Sequence, residues 1–285
     1  MAEAPLAFPS VSDALDWAAG RLREAGIDNP RLEARLLAAH AAGLSPADLL
    51  AHRTAPFPAQ PLADLVARRA SRVPLAYLTG IREFWSLPFH VSDATLIPRS
   101  ESESVVAAAL RRFPDTPGRV LDLGTGTGCL LLAVLSERPG ASGVGIDRVP
   151  AAARLAARNA RDLGLAPRAA FACGNWADAI AGRFGLVLSN PPYIPTAELP
   201  GLMPEVADHE PHGALDGGPA GLDAYARIVA DLPRLLAPGG VAVLELGPAE
   251  AVAGLARAAG IAIEIEPDLA GTPRVAICSM PAGAA

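Results

Sequence analysis

The sequence predicts an α/β fold. A mostly parallel seven-stranded sheet carries helices on both faces and an antiparallel hairpin at one edge, and a small N-terminal helical bundle precedes it. Three observations predict it. Residues 10 to 72 read as short amphipathic helices with no strand-like alternation between them. From about residue 104, short apolar runs ("RVLDLG", "SGVGID", "AAFAC", "GLVLSN" and "GVAVLELG") each end in a turn signal, and Ala-rich helical stretches separate most of them. Strand–helix alternation implies a parallel sheet sandwiched by helices. The last two runs, "IAIEIEPD" and "RVAICSM", have no helix-length gap between them, so they close the sheet as an antiparallel pair.

Taken in order, "SVSDALDWAAGRLREAG" begins with serines suited to capping and stops at Gly26. In "NPRLEARLLAAHAAG", Asn29 is a cap, Pro30 takes the first helical position and Gly43 is the stop. "SPADLLAHR" repeats the cap-Pro logic, and "QPLADLVARRASR" follows. Residues 73 to 100 switch to aromatic and β-branched residues broken by Gly80 and Pro88, which reads as a hairpin-like connector. The expected domains are a helical bundle over 1–75, a β-hairpin linker over 76–100, and the α/β domain over 101–285.

Composition narrows the function classes. A length of 285 residues suggests about two domains, and 51% apolar residues is ample for a large core. The net charge is −6, and all 24 basic residues are Arg. An acidic chain without a basic run is ill suited to non-specific nucleic-acid binding, which needs phosphates neutralised. The N-terminus has no basic segment leading into an apolar one, so no signal peptide is expected, and runs such as "CLLLAVL" are too short to span a membrane. Cys129, Cys173 and Cys278 are isolated, with no metal or disulfide spacing. A soluble, reduced, cytoplasmic protein without a metal is expected.

Two motifs carry chemistry. "VLDLGTGTGCLLLAVL" puts Gly124, Gly126 and Gly128 between a strand and a helix, where the backbone bends sharply and helix N-terminal amides face a ligand. A dinucleotide fingerprint needs its third glycine at position 129, which is Cys129. The next strand ends in Asp147, an acid placed to take both ribose hydroxyls of a nucleoside. Loop, spacing and acid favour a nucleoside cofactor, with S-adenosylmethionine ahead of NAD.

The second motif is "GLVLSNPPYIP". Asn190 closes the fourth strand of the α/β unit at its carboxyl end, the ligand side of such a sheet. Pro191 holds Asn190 extended, and two prolines fix the backbone that follows. Because neither proline has an N–H, a planar polar group docking here meets acceptors: the Asn190 side-chain oxygen and the Pro191 carbonyl. Together they can receive both hydrogens of an –NH2 group, while Tyr193 covers a flat amide or base. That suits methylation of a poor nitrogen nucleophile.

With these residues in place, the chain resembles the peptide chain release factor N5-glutamine methyltransferases, the PrmC or HemK family. The resemblance runs over nearly the whole length, through "GIREFW", "LIPR", "DLGTGTG", "SNPPYI", "EPHGALDGGPAGLDAY" and "LELG". The "NPPY" motif alone is shared with adenine N6-methyltransferases; the combination is specific. The resemblance implies a Rossmann-like class I S-adenosylmethionine-dependent methyltransferase domain. It implies that Gly124, Thr125, Gly126, Thr127 and Gly128 hold the methionine part of the cofactor and Asp147 its ribose. Trp176 lies beside the adenine, and Asn190 borders the cofactor as well. Asn190, Pro191, Pro192 and Tyr193 grip the acceptor glutamine, with Asn190, Pro191 and Tyr193 catalytic. The implied partner is a release factor presenting a Gly-Gly-Gln loop, with no direct nucleic-acid or membrane partner and a monomeric enzyme. The family's usual Pro-Arg-Pro-Glu-Thr-Glu is "PRSESE" here, so Ser100 and Ser102 replace Pro and Thr while Arg99, Glu101 and Glu103 remain. Position 175, often an acid in the family, is Asn175.

Competing readings are an adenine-N6 methyltransferase with the same Asn-Pro-Pro-Tyr grip, a paralogue methylating glutamine in another protein, and a non-enzymatic S-adenosylmethionine-binding regulator. His209 and His212 in "DHEPHG" read as part of an ordered loop, since Pro211 breaks any helical face that would pair them on a metal. Trp17 and Trp85 read as packing residues, and Cys129 as a small packing residue behind the glycine loop.

Overall fold

A computed structural model describes residues 7–114, 118–268 and 270–281. The part of the signal-peptide reading that rests on residues 1–6 lies outside the described residues. The chain divides into two compact units, Met1–Gly80 with Met203–His209, and Ile81–Leu202 with Glu210–Ala285.

The first unit is built from helices Val11–Glu24, Pro30–Ala42, Pro46–Ala51, Ala59–Ala70 and Leu75–Thr79. Ser10 and Ser45 cap the first and third by accepting from the backbone amides of Asp13 and Asp48. Gly43 ends the second in the left-handed conformation that favours glycine. Leu22, Leu37, Leu49 and Leu62 meet with no exposure at the centre of the bundle. Each such side chain contributes about 1.5–3 kcal/mol by leaving water. Two features differ from the expectation. Ala7–Phe8 pairs antiparallel with Phe57–Pro58, a contact that buries Phe8 and Phe57 but is too short to show alternation. Leu75–Thr79 is helical and ends at left-handed Gly80, so the expected connector begins as helix.

Met203–His209 belongs to this unit although it falls within the sequence of the other. Glu205 receives Arg69 at 3.0 Å and Arg72 at 3.1 Å, and Arg69 also pairs with Glu33 at 2.5 Å.

In the second unit the sheet strands are β1 (Arg119–Leu123), β2 (Ser142–Asp147), β3 (Ala169–Cys173), β4 (Phe184–Ser189), β5 (Leu236–Glu245), β6 (Ala262–Pro267) and β7 (Pro273–Ser279). Their order is β6-β7-β5-β4-β1-β2-β3; β7 runs antiparallel to both neighbours and the rest are parallel. Alternate residues of the central strands face opposite cores. Leu186 and Leu188 join Leu131, Val134 and Phe89, while Val187 joins Tyr225, Ile228 and Leu232; Phe184 reaches that second core too, because the register shifts between it and Leu186. Two buried faces explain why these strands read as continuous apolar runs.

The hairpin Ile81–Phe84/Leu87–His90 is part of this unit. Its two-residue turn, Trp85-Ser86, has φ of 53° and 58°, the pattern that matches strand twist but strains non-glycine residues. Offsetting contacts exist: the Trp85 amide donates to Glu103 at 2.8 Å and its indole to Glu137 at 2.9 Å. Phe84 and Phe89 pack edge-to-face in the core. Among the described residues, no helix is long and apolar enough to cross a membrane.

Candidate active site

The parallel strands reverse their direction of growth between β1 and β4, and the loops after them part there, where open α/β sheets bind ligands. A cavity of about 440 Å³ opens at that place. Its walls bring together residues far apart in sequence: Gly124, Thr125, Gly126 and Thr127; Asp147; Trp176; Asn190 and Pro192. Gly128, Pro191 and Tyr193 do not line it. Gly128 caps helix Cys129–Glu137 and stands behind the wall, where a Cβ would meet Ala156 and Leu132 at 3.2 Å.

The glycine loop is fastened mainly by main-chain bonds. Gly124 and Thr125 amides each donate to the Ile146 carbonyl at 2.9 Å, which closes β1 onto β2. The Gly126 amide donates to Asp147 Oδ2 at 2.9 Å, and Val149 donates to Oδ1 at 2.8 Å. These bonds fix the carboxylate on the cavity wall. Ionised, it has about four acceptor positions, so two remain for a diol. Buried Asn159 holds the loop from behind, donating to the Thr127 carbonyl at 2.9 Å and exchanging bonds with the His90 backbone. Beneath the loop Asp122 is 1% exposed and accepts from Thr125 Oγ1 at 2.6 Å. Burial pushes its carboxyl up to about 7; the Thr125 bond opposes this and the Asp147 charge adds to it. Desolvation likewise raises the Cys129 thiol to about 12, which leaves almost no thiolate at neutral pH.

The loop after β4 is held by side chains and by glycines. Ser189 Oγ donates to the Leu123 carbonyl at 2.7 Å, locking the end of β4 to the end of β1. Ile194 forms an isolated bridge with Asp216, and Thr196 donates to Asp216 Oδ1 at 2.6 Å. Gly217 must be glycine here: a Cβ would lie 2.8 Å from the Pro192 carbonyl and from the Tyr193 Cα. This close approach is the physical content of "ALDGGPAG". Asn190 Nδ2 donates to Ser102 Oγ at 3.2 Å, leaving Oδ1 as its open acceptor. Tyr193 is held at its hydroxyl, which donates to Glu245 Oε1 at 3.2 Å, and burial, then the Glu245 charge, pushes that phenol up to about 12.

Several residues in this site were assigned no role from the sequence. Ser102 and Glu245 are each 2% exposed and hydrogen-bonded to one another. Glu210, 4% exposed, accepts from the Ile97 amide at 3.1 Å and pairs with Arg99, pinning the "LIPR" wall of the cavity. An acid inside the apolar run "VAVLELG" was the available clue to Glu245. Among the described residues, no group of three or more His, Cys, Asp or Glu is placed to hold a metal ion. Trp17 stacks obliquely on Phe8, with ring centroids 5.3 Å apart.

Comparison with known proteins finds relatives over most of the chain. The PrmC N-terminal domain family matches residues 13–80, and the methyltransferase small domain family matches residues 104–200. A release factor glutamine methyltransferase of Rhodospirillum rubrum is 50% identical over 266 residues, 91% of this chain and 82% of that protein. One from Cereibacter sphaeroides is 45% identical over 278 residues, 95% of this chain and 99% of that protein. One from Salmonella typhimurium is 40% identical over 269 residues, 92% and 95% respectively. Among solved structures, the hMettl16 catalytic domain in complex with MAT2A 3'UTR hairpin 6 aligns with a TM-score of 0.58 at 16% identity, over 74% of this chain and 81% of that one. A methyltransferase from Pyrococcus furiosus aligns at 0.52, also 16% identical, over 67% and 87%. At such identities the structures speak for the fold alone; the sequence relatives speak for more, and the chain belongs to the release factor glutamine methyltransferase family.

Proposed function

We propose that the chain transfers the methyl group of S-adenosyl-L-methionine to the side-chain amide nitrogen of the glutamine in the Gly-Gly-Gln motif of peptide chain release factors. The observation that supports this most is the setting of Asn190. It lines the cavity beside the glycine loop, its Nδ2 is engaged by Ser102, and its Oδ1 is left as an acceptor next to a residue, Pro191, that has only a carbonyl to offer.

The residues fit the cofactor. Gly124 and Gly126 line the cavity with φ of 71° and 54°, so their bare backbone faces a ligand. Asp147 offers its remaining lone pairs to the ribose, and Trp176, also on the wall, flanks the adenine. When bound, S-adenosylmethionine supplies a methyl group already activated on a positive sulfonium. The chain then has to position the acceptor. An amide nitrogen is a poor nucleophile because its lone pair is delocalised into the carbonyl. Asn190 Oδ1, on the cavity wall, accepts one amide hydrogen, and the Pro191 carbonyl, set back from that wall, takes the other when the glutamine is seated, which polarises the nitrogen and aims its lone pair. Orientation of that kind is worth effective molarities up to roughly 10⁵–10⁸ M. As the nitrogen takes the methyl, the methyl's bond to sulfur breaks, leaving S-adenosylhomocysteine, and the N-alkylated amide, a strong acid, gives one hydrogen to water, so no strong base is needed on the chain. Pro192 and Tyr193 shape the loop that carries these acceptors.

In the same reading the helical unit recognises the folded release factor, and a monomeric enzyme works in the cytoplasm. The test is competition for labelled methyl among an intact release factor, the same factor with its Gly-Gly-Gln glutamine replaced by alanine, and duplex DNA. Label confined to the first supports the reading; label on the alanine variant or on DNA overturns it.

A further inference from the structure

We propose that Glu245 dictates which way the Asn190 side-chain amide points, acting through the hydroxyl of Ser102, and is thereby a positioning residue for methyl transfer. The proposal rests on the reading of Asn190 given above and extends it to two residues outside the Asn-Pro-Pro-Tyr motif.

The inference follows from donor and acceptor arithmetic. A carboxylate only accepts hydrogen bonds, and a serine hydroxyl has one hydrogen to give. Ser102 Oγ donates that hydrogen to Glu245 Oε2 in a site where both side chains are buried. Toward Asn190, therefore, Ser102 has only a lone pair. Asn190 must turn its Nδ2 to Ser102, at 3.2 Å, and its Oδ1 to the acceptor side. An amide in isolation is almost symmetric in shape, and either orientation fits the same space. The buried carboxylate breaks that symmetry. Its other oxygen accepts from Tyr193 at 3.2 Å, so one group secures both ends of the four-residue motif. Glu245 is itself anchored: Tyr225 donates to its main-chain carbonyl at 2.8 Å and receives the Gly247 amide at 3.0 Å. Serine serves as well as threonine at position 102, since only the hydroxyl is used.

Protonation reverses the relay. A neutral Glu245 has one hydrogen to give; carried on Oε2 it is donated to Ser102, which then turns its own hydrogen to Asn190, and the amide presents Nδ2 to the acceptor. The groups bearing on Glu245 are Ser102 and Glu101 from the turn before helix Glu103–Arg112, Cys129 at the start of helix Cys129–Glu137, Tyr193 from the loop after β4, Tyr225 from helix Asp223–Leu235, and Arg274 from the neighbouring β7. Burial raises the Glu245 carboxyl; its bonds from Ser102 and Tyr193 and the Arg274 charge oppose that, and Glu101 adds to it. Turnover should therefore have an acid limb that the Gln variant lacks.

The experiment uses the full chain and Ser102→Ala, Ser102→Thr, Glu245→Gln and the Ser102→Ala/Glu245→Gln pair. It measures turnover on an intact release factor alongside calorimetric binding of S-adenosylhomocysteine. Ser102→Ala and Glu245→Gln should each lower kcat by about 10- to 100-fold, the scale of a misplaced reacting group, with cofactor affinity within about threefold. Ser102→Thr should recover most of the Ser102→Ala loss, and the double variant should be little worse than the worse single one. Additive losses, or a Ser102→Ala enzyme with wild-type kcat, would overturn the relay. A second measurement does not depend on the acceptor. In a ¹⁵N-labelled chain the Asn190 side-chain NH2 signals, identified by their loss in Asn190→Ser, should show one proton protected from exchange in wild type and neither in Ser102→Ala. Equal protection in both would overturn the relay even if the wild type turned over no release factor, a result that would count against the substrate assignment instead.

Discussion

The two sides of the cavity are held by different kinds of bond. On the glycine-loop side, main-chain amides close onto the Ile146 carbonyl and the Asp147 carboxylate, partners on the adjacent strand. On the Asn-Pro-Pro-Tyr side, orientation is imposed by the side chains of Ser102 and Glu245, which come from distant parts of the chain. The first arrangement takes its donors mostly from main-chain amides and depends on few side chains, Asp147 and Asn159 chief among them. The second concentrates orientation in a few buried polar atoms, where losing one donor or acceptor costs far more than an exposed bond. Cofactor binding and acceptor positioning should therefore fail separately.

The largest expected effect breaks the acceptor side. Asn190→Ala removes the acceptor oxygen, and turnover on a release factor should fall by ~10²–10³, the range for deleting one positioned polar group of a catalytic site. Asn190→Asp keeps an oxygen and adds a negative charge near the sulfonium. Cofactor affinity should hold or rise while turnover drops less than for alanine, as calorimetry and initial rates on the same preparation will show.

Next is the cofactor side. Asp147→Ala removes a charge-assisted acceptor and releases the Gly126 and Val149 amides, so S-adenosylhomocysteine binding should weaken by about 1.5–3 kcal/mol in titration calorimetry. NAD binding with no S-adenosylhomocysteine binding would contradict the assignment of the loop.

A smaller effect sharpens the comparison from beneath the glycine loop. The Asp122 carboxyl is raised in the fold to about 7, well above its unfolded value. The stability it contributes is full below about pH 4 and is lost as pH rises through about 7. Asp122→Asn should flatten the decline in unfolding free energy between pH 5 and 8, measured by denaturant melts, by an amount on the order of 2 kcal/mol, without moving the acid limb of turnover.

The smallest lies in the other unit. Glu205→Ala deprives buried Arg69 and half-buried Arg72 of a partner and should cost about 1–2 kcal/mol in denaturant melts. Burial works against the Glu205 carboxyl, but its own backbone bond, Arg72 and Arg69 hold it below its ordinary value. Its contribution is thus full at neutral pH and lost as pH falls below the ordinary glutamate range and through its own lowered value.

What was legible in the sequence follows the same division. The alternation of strands and helices, the closing hairpin, the glycine loop, Asp147 and the Asn-Pro-Pro-Tyr turn are local patterns, in which neighbouring residues fix the geometry. Ser102, Glu210, Glu245 and Asn159 act across long sequence separations, and no periodicity announces such pairings. The Phe8 and Phe57 pairing was hidden because two residues cannot show alternation. Residues 203–209 were hidden because their partners, Arg69 and Arg72, lie more than a hundred positions earlier.

The separation of the two sides is tested most directly by measuring both quantities on both variants. For Asn190→Ala and Asp147→Ala, S-adenosylhomocysteine affinity and turnover per folded molecule at saturating S-adenosylmethionine are determined on an intact release factor. The account predicts a crossed pattern: Asn190→Ala keeps its affinity within about threefold and loses turnover by ~10²–10³, while Asp147→Ala loses affinity and recovers most of its turnover at saturation. Equal loss of both quantities in both variants, or wild-type turnover by Asn190→Ala, would contradict it.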